Sequence, residues 1–288
     1  MQTVAIVGVG LIGGSFALAL RKAGFGGRII GVSSPSAVEA ALARGVIDEA
    51  RPLEAAAPEA DLVYLAQPVN RILETIGRIG PLVREGSLVT DAASTKSAVV
   101  ARARQSIRAC QFLGGHPMAG KETRGVEEAE PDLFAGRTYV LTPEGPKELE
   151  TPAAREFLDW IRRIGGEPVV LGPLEHDRVT SLTSHLPQLA STALAVTLAK
   201  RLGSGTHLRV AGPGLRDTTR LARSSFAIWR DIVETNAREI ENALDAYIAE
   251  LQSMREKIPG ARLEEEFETA SAFSARLRGE PDTREEEC

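Results

Sequence analysis

Residues 3–20, Thr3-Val4-Ala5-Ile6-Val7-Gly8-Val9-Gly10-Leu11-Ile12-Gly13-Gly14-Ser15-Phe16-Ala17-Leu18-Ala19-Leu20, decide the fold. Thr3 to Val7 is a short apolar run that stops at Gly8, and from Leu11 to Leu20 apolar residues return at helical spacing, so strand, tight turn and helix follow in order. Gly8, Gly10 and Gly13 make a G-x-G-x-x-G pattern in the context that gives it meaning, after a strand and at the opening of a helix. Gly8 permits the tight turn, Gly10 lets a pyrophosphate approach the backbone, and Gly13 lets helix and strand pack closely. Leu11 and Ile12 begin the helix, whose first N–H groups are free to face an anion. Gly8, Gly10, Leu11, Ile12 and Gly13 are therefore the expected dinucleotide-binding residues.

The same alternation continues downstream. Arg28 to Val32 reads as the second strand, Ala37 to Ala43 as a helix, Asp61 to Ala66 as the third strand and Arg71 to Ile79 as a helix. Ser87 to Asp91, Lys96 to Ile107, Gln111 to Gly114, Arg137 to Leu141, Ala153 to Ile164 and Glu167 to Leu171 extend it. Apolar strands alternating with helices predict an α/β, doubly wound, mainly parallel sheet with helices on both faces. After Gly172-Pro173 strand-like runs vanish and only helical patterns remain, so we expect a dinucleotide-binding domain at 1–172 and an all-helical domain at 173–288. Within the latter, Trp229 to Met254 carries Ile232, Val233, Ile240, Leu244, Tyr247, Ile248 and Leu251 at helical spacing, a core or dimer face. Val179 to Ala199 lacks permanent charges, but His185, Pro187 and Gln188 make it a buried interface helix rather than a membrane span. The charged tail from Leu263 has room for one surface helix.

Bulk properties narrow the function. A chain of 288 residues has length for two domains and a large core. With only Cys110 and Cys288, neither a disulfide framework nor a cysteine metal cluster is expected, and no metal is expected at all. A formal net charge of -5 with no basic block excludes a nucleic-acid surface. The first strand begins at once, with no secretory pattern before it, so a cytoplasmic location is expected.

Two loops should carry the chemistry. Asp91-Ala92-Ala93-Ser94-Thr95-Lys96 follows the fourth strand, and Gly115-His116-Pro117-Met118-Ala119-Gly120-Lys121-Glu122 follows the next, so both open where a parallel sheet binds its ligand. Ser94 and His116 are then expected to meet there, although a serine in such a loop also serves as a helix cap. Lys96 reads as a surface or phosphate-side residue of the first helical turn. At the end of the second strand, where an acidic residue would grip an adenosine ribose, the chain has Ser33-Ser34. No carboxylate repels a 2′-phosphate and no arginine stands beside the serines to hold one, so the cofactor is NAD or NADP.

At these residues the chain resembles the prephenate and arogenate dehydrogenases of tyrosine biosynthesis. The resemblance runs from the glycine fingerprint to about Glu241 through the D-x-x-S-x-K loop, the H-P-x-A-G-x-E segment, the Ser184-His185-Leu186-Pro187 turn and the Asp217-Thr218-Thr219-Arg220 run, with Trp229-Arg230-Asp231 behind it. It implies a Rossmann-type domain, a helical dimerisation domain making a homodimer, and a small cyclohexadienol carrying a ring carboxylate as substrate. It further implies that His116 takes the hydroxyl proton and that Ser94 hydrogen-bonds the same group. Arg220 would grip the ring carboxylate, with Asp217, Ser184, His185, Gln188 and Glu122 on the substrate side. Many relatives have a histidine where this chain has Gln188, which leaves recognition of the substrate's side chain open between keto acid and amino acid. Trp229 would reach a neighbouring subunit's site or simply pack.

Two other readings compete. A β-hydroxyacid dehydrogenase or imine reductase shares this layout but favours a catalytic lysine, and Lys200 and Lys257 are poorly placed for one. A dinucleotide sensor without turnover would not need His116, Ser94 and Arg220 together. His176 and His207 fall in no motif and read as structural or surface residues. The residues beyond Pro259 are few and charged, so no fused mutase or regulatory domain is expected.

Overall fold

A computed structural model describes residues 1–121, 123–203 and 205–279. Among the described residues eight strands, β1 (Thr3–Val7), β2 (Arg28–Val32), β3 (Glu49–Ala50), β4 (Leu62–Leu65), β5 (Leu88–Asp91), β6 (Gln111–Pro117), β7 (Thr138–Thr142) and β8 (Glu167–Val170), form one sheet in the order β3-β2-β1-β4-β5-β6-β7-β8. All neighbours are parallel except β6 and β7, which run antiparallel with His116 opposite Val140. Helices α1 (Leu11–Lys22), α2 (Pro35–Ala43), α3 (Leu53–Ala56), α4 (Val69–Ile79), α5 (Ser97–Ser106) and α6 (Pro152–Arg163) cover the sheet. Because β1 lies between β2 and β4, the strand order reverses there and a crevice opens beyond their C-terminal ends.

Pleating sorts the strand side chains between two cores. Val4 and Ile6 of β1 join Phe16, Tyr64, Leu113, Leu141 and Phe157 on one face, while Ala5 and Val7 join Val63, Leu65, Ile72, Ile76 and Val99 on the other. Burial of both faces is why these strands read as unbroken apolar runs. Phe16 of α1 stacks on Tyr64 of β4 with ring centroids 4.0 Å apart, which holds the first helix down on the sheet.

Three strand expectations need correction. The two-residue β3 carries too little pattern to be read, so the strands expected as third and fourth are β4 and β5. The strand expected to stop at Gly114 continues to Pro117, which places His116 inside β6 rather than just past it. Its glycines serve close approach: a Cβ on Gly114 would stand 2.3 Å from Thr142 Oγ1, and one on Gly115 2.7 Å from the Asp91 carbonyl oxygen.

The chain divides into two compact units, Met1–Ile240 and a second that begins at Glu241. After β8 the first unit continues as α7 (Pro173–Thr180), a π-helical turn (Ser181–His185), α8 (Leu186–Arg201), α9 (Gly205–Leu208), α10 (Pro213–Thr218) and α11 (Phe226–Thr235), the last capped by Ser225 accepting from the Ala227 N–H. The uncharged stretch from Val179 is therefore a helix end, a π turn and a second helix. The stripe expected as one helix from Trp229 to Met254 is broken at Asn236, where α12 (Ala237–Lys257) begins. The second unit holds the remainder of α12 and α13 (Glu264–Leu277), with Lys257 bonded to Glu266. No helix among the described residues is long and apolar enough to cross a membrane.

Gly13 is the tightest point of the first unit's nucleotide end, since a Cβ there would lie 2.2 Å from the Gly8 carbonyl oxygen. Gly13→Ala is expected to cost about 1–3 kcal/mol through overpacking; a urea midpoint equal to that of the wild type would contradict this close approach.

Candidate functional site

β1 ends in Gly8, whose φ of +97° suits glycine and whose Cβ would sit 2.6 Å from the Ala66 carbonyl oxygen. Gly8 N–H donates to Val32 O and Ala66 N–H to Val7 O, both at 2.8 Å, so the turn is pinned to β2 and β4. Gly10 precedes the first turn of α1, formed by Leu11 and Ile12, and a Cβ on it would meet nothing within 4 Å. The space above Gly10 is thus open, and a cleft of about 650 Å³ runs from Gly8 and Gly10 past Ser33, Ser34 and Ser36. A dinucleotide fits this cradle: bare backbone for the pyrophosphate, a helix N-terminus behind it and hydroxyls at the ribose end.

The opposite wall holds what the sequence did not disclose. Arg71 and Arg78 of α4 line the same cleft, Arg71 bonded to Glu74 at 2.7 Å and Arg78 to Glu54 at 2.5 Å. They lie about forty residues beyond the serines, so no local spacing marks them.

A second cluster forms around His116. Its Nδ1 lies 2.8 Å from His176 Nε2, and His176 Nδ1 lies 2.8 Å from Asp177 Oδ1. His176, expected to be structural or surface, is fully buried and in contact with His116. Helix α7 brings it there: Asp177 accepts the N–H groups of Lys96 at 2.7 Å and Ser97 at 2.8 Å, which seats α7 on the start of α5. Burial, reinforced by His176, Lys96 and His185, holds His116 well below the ordinary histidine value, so it is neutral at pH 7. His185 is pushed down to about 4 by burial, with Asp177 opposing and His176 reinforcing.

Lys96, expected on the surface, is wholly buried and paired with Asp91, because it turns under the loop instead of out of it. Lys96 Nζ also donates to Gly115 O at 2.8 Å, and Asp91 accepts from Gly115 N–H at 3.1 Å and Ala93 N–H at 2.9 Å. The pair therefore clamps both sides of the residue before His116. Burial pulls the lysine below its usual range, although Asp91 and Asp177 work against this.

The remaining candidates are placed as follows. Ser94 is half-buried in the β5–α5 loop, and no hydrogen bond joins it to His116 among the described residues. His185 is buried, 3.3 Å by Nδ1 from Asn236 Nδ2 and edge-to-face with Trp229 of its own chain at 5.8 Å. Ser184 is half-buried in the π turn. Gln188 is buried and its amide donates to Leu221 O at 2.8 Å and Thr192 Oγ1 at 3.2 Å. Asp217 on α10 and Arg220, which opens a 3₁₀ turn to Arg223, are exposed. Glu122 lies outside the described residues. Among those residues no group of three or more His, Cys, Asp or Glu is arranged to hold a metal ion.

Residues 16–167 match the family model for the nucleotide-binding domain of prephenate dehydrogenase, and residues 172–271 match that for its dimerization domain. The prephenate dehydrogenase of Bacillus subtilis (strain 168) is 37% identical over 269 residues, which cover 88% of this chain and 69% of that protein. The crystal structure of prephenate dehydrogenase from A. aeolicus in complex with hydroxyphenyl propionate and NAD+ is 31% identical, with a TM-score of 0.86 over 97% of this chain and 98% of the other. That of Synechocystis arogenate dehydrogenase is 29% identical, with a TM-score of 0.80 over 96% and 99%.

Removing one partner of a buried ion pair leaves the other charge uncompensated, whereas an exposed pair such as Arg71–Glu74 contributes little. Lys96→Ala is expected to lose about 3–5 kcal/mol in denaturant unfolding, and Arg71→Ala less than about 1 kcal/mol. Equal small losses would mean that Asp91 and Lys96 do not hold the loop.

Proposed function

The chain belongs to the prephenate dehydrogenase family, and on that premise we propose that it is an NAD(P)-dependent dehydrogenase that converts prephenate to 4-hydroxyphenylpyruvate in tyrosine biosynthesis. The observation that carries this reading is a hydrogen-bonded imidazole held neutral by burial, His116, near the end of β6 in the same sheet whose β1 end opens into a cleft that fits a dinucleotide. Arogenate as substrate is the second reading, favoured by the likeness to the Synechocystis arogenate dehydrogenase.

Gly8, Gly10, Gly13 and the first turn of α1 hold the pyrophosphate, and Ser33 and Ser34 face the adenosine ribose. When bound, the nicotinamide supplies the acceptor for the hydride that leaves the hydroxyl-bearing ring carbon. His116 hydrogen-bonds the ring hydroxyl and takes its proton, assistance that is typically worth about 10²–10⁴ in rate. Ser94 orients the same hydroxyl. Arg220 receives the ring carboxylate, because a planar guanidinium matches it with two parallel hydrogen bonds. That carboxylate departs as carbon dioxide, and aromatisation of the ring makes the step irreversible. Ser184, His185, Gln188 and Asp217 lie on the substrate side, where Gln188 is held by the Leu221 carbonyl and Thr192.

The division into residues 1–172 and 173–288 is supported by a second family-model segment that starts at 172. A homodimer through the helical part is supported by that segment's description and by exposed apolar side chains, Leu174, Leu182, Val196 and Phe226 in one unit and Phe267 and Leu277 in the other. Sedimentation should give twice the 30.8 kDa of one chain; a monomer at micromolar concentration would contradict it. A cytoplasmic location is supported by the paucity of cysteine.

Initial rates for prephenate and arogenate against NAD and NADP test the reading directly. Turnover of prephenate is expected, with His116→Ala lowering kcat by about two to four decades. Arg220→Ala should mainly raise KM, by roughly 2–5 kcal/mol of lost binding. Because the base must be neutral, activity falls as pH drops through the His116 pKa. Since that value lies well below 6.5, kcat/KM should stay level through pH 6.5 and fall only in more acidic solution. No turnover of either substrate, or an acid limb centred at or above 6.5, would defeat the assignment.

A further inference from the structure

We propose that Asp177 and His176 are positioning residues that dictate which nitrogen of His116 carries a proton, leaving Nε2 bare as the base. The proposal rests on the reading of His116 as the acceptor of a substrate hydroxyl proton and deepens it by naming the residues that act through it.

The hydrogen-bond partners leave little freedom. Asp177 Oδ1 accepts from the Lys96 N–H at 2.7 Å and faces His176 Nδ1 at 2.8 Å, while Oδ2 accepts from the Ser97 N–H at 2.8 Å. An ionised carboxylate has no proton to give, so His176 Nδ1 must be the donor. In neutral His176 this makes Nε2 a lone pair, and that lone pair lies 2.8 Å from His116 Nδ1. Two lone pairs at that distance would repel. His116 Nδ1 therefore donates, and the only tautomer left to a neutral His116 has no proton on Nε2.

The opposite arrangement requires a cation. A doubly protonated His176 would donate through Nε2 and force the His116 proton onto its own Nε2, removing the base. The charged and titratable groups facing this pair are Asp177 of α7, Lys96 at the start of α5 with its partner Asp91 of β5, and His185 of the π turn. Asp177, the carboxylate that faces His176, is already shared with the backbone N–H groups of Lys96 and Ser97.

The arrangement also serves the product of proton transfer. As the substrate O–H bond breaks, the N–H bond forms at His116 Nε2, and no proton passes further. The imidazolium then keeps its Nδ1–H on His176, whose Nδ1–H remains on Asp177, so the new charge is answered through two existing hydrogen bonds. A carboxylate that holds an imidazole in its productive tautomer is a known device of hydrolases; here a second imidazole spans the gap from α7 to β6.

The test uses the full chain and separates this proposal from the functional reading. Nitrogen-15 spectra of histidine-labelled protein without ligands, at neutral pH, should show His116 protonated at Nδ1 and bare at Nε2. In His176→Phe, which keeps the buried ring and the backbone contacts of Asp177, the Nδ1–H signature should vanish. Its kcat should fall by about 10²-fold with KM changed less than about threefold. His176→Gln, whose amide oxygen can accept from His116 Nδ1–H, should recover at least about tenfold of that loss. A wild-type His116 carrying its proton on Nε2 overturns the proposal. So does a Phe variant with unaltered tautomer or kcat, and so does failure of the glutamine to rescue a folded protein. If the wild type oxidises neither prephenate nor arogenate, the functional reading falls, while the spectra still decide the tautomer.

Discussion

One carboxylate, Asp177, organises the chemistry-bearing end of the first unit. Its two oxygens take the N–H groups that open α5 and the imidazole of His176, and its backbone carbonyl accepts from Asn236 Nδ2 at 2.9 Å. Burial alone would raise its pKa, but the hydrogen bonds from His176, Ser97 and Lys96 outweigh it and hold the group below the ordinary range. A charged acceptor is thereby kept where α5, α7 and the break between α11 and α12 converge. The break itself follows from this: Asn236 turns its side chain to Asp177 and His185 instead of continuing the helix face.

Asp91 and Lys96 act on the same strand from below. They bind the carbonyl and the N–H of Gly115, so the residue before His116 has both backbone groups fixed by side chains with no solvent contact. The lysine charge also disfavours protonation of the neighbouring imidazole, which keeps the base available. Structure and reactivity thus share one device: a buried cation that costs desolvation, fixes the strand and tunes the histidine.

The glycine fingerprint and the strand-helix alternation were legible because each is local. Gly8, Gly10 and Gly13 are required by a turn and two close approaches, and double burial writes itself as apolar runs from Thr3 to Val7 and Leu62 to Leu65. The end of β6 was not legible, since Gly114 and Gly115 look like a turn and are in fact spacers against Thr142 and Asp91. His176 was missed for a different reason. Its meaning depends on α7 docking beside β6, a contact between residues sixty positions apart that no spacing records. Lys96 was misread because an isolated lysine in a first helical turn normally points to water, whereas here Asp91, five residues earlier, and the Gly115 carbonyl give it buried partners. The cue was present in the D-x-x-S-x-K string, but its geometry was not.

The account's central claim is that His116 meets the ring hydroxyl through the nitrogen not bonded to His176. A crystal structure with NAD+ and a phenolic product analogue tests it most directly. The expected result is His116 Nε2 within about 2.6–3.2 Å of the hydroxyl oxygen, with Nδ1 still on His176. A hydroxyl held by other groups, with His116 turned away from it, would contradict the claim.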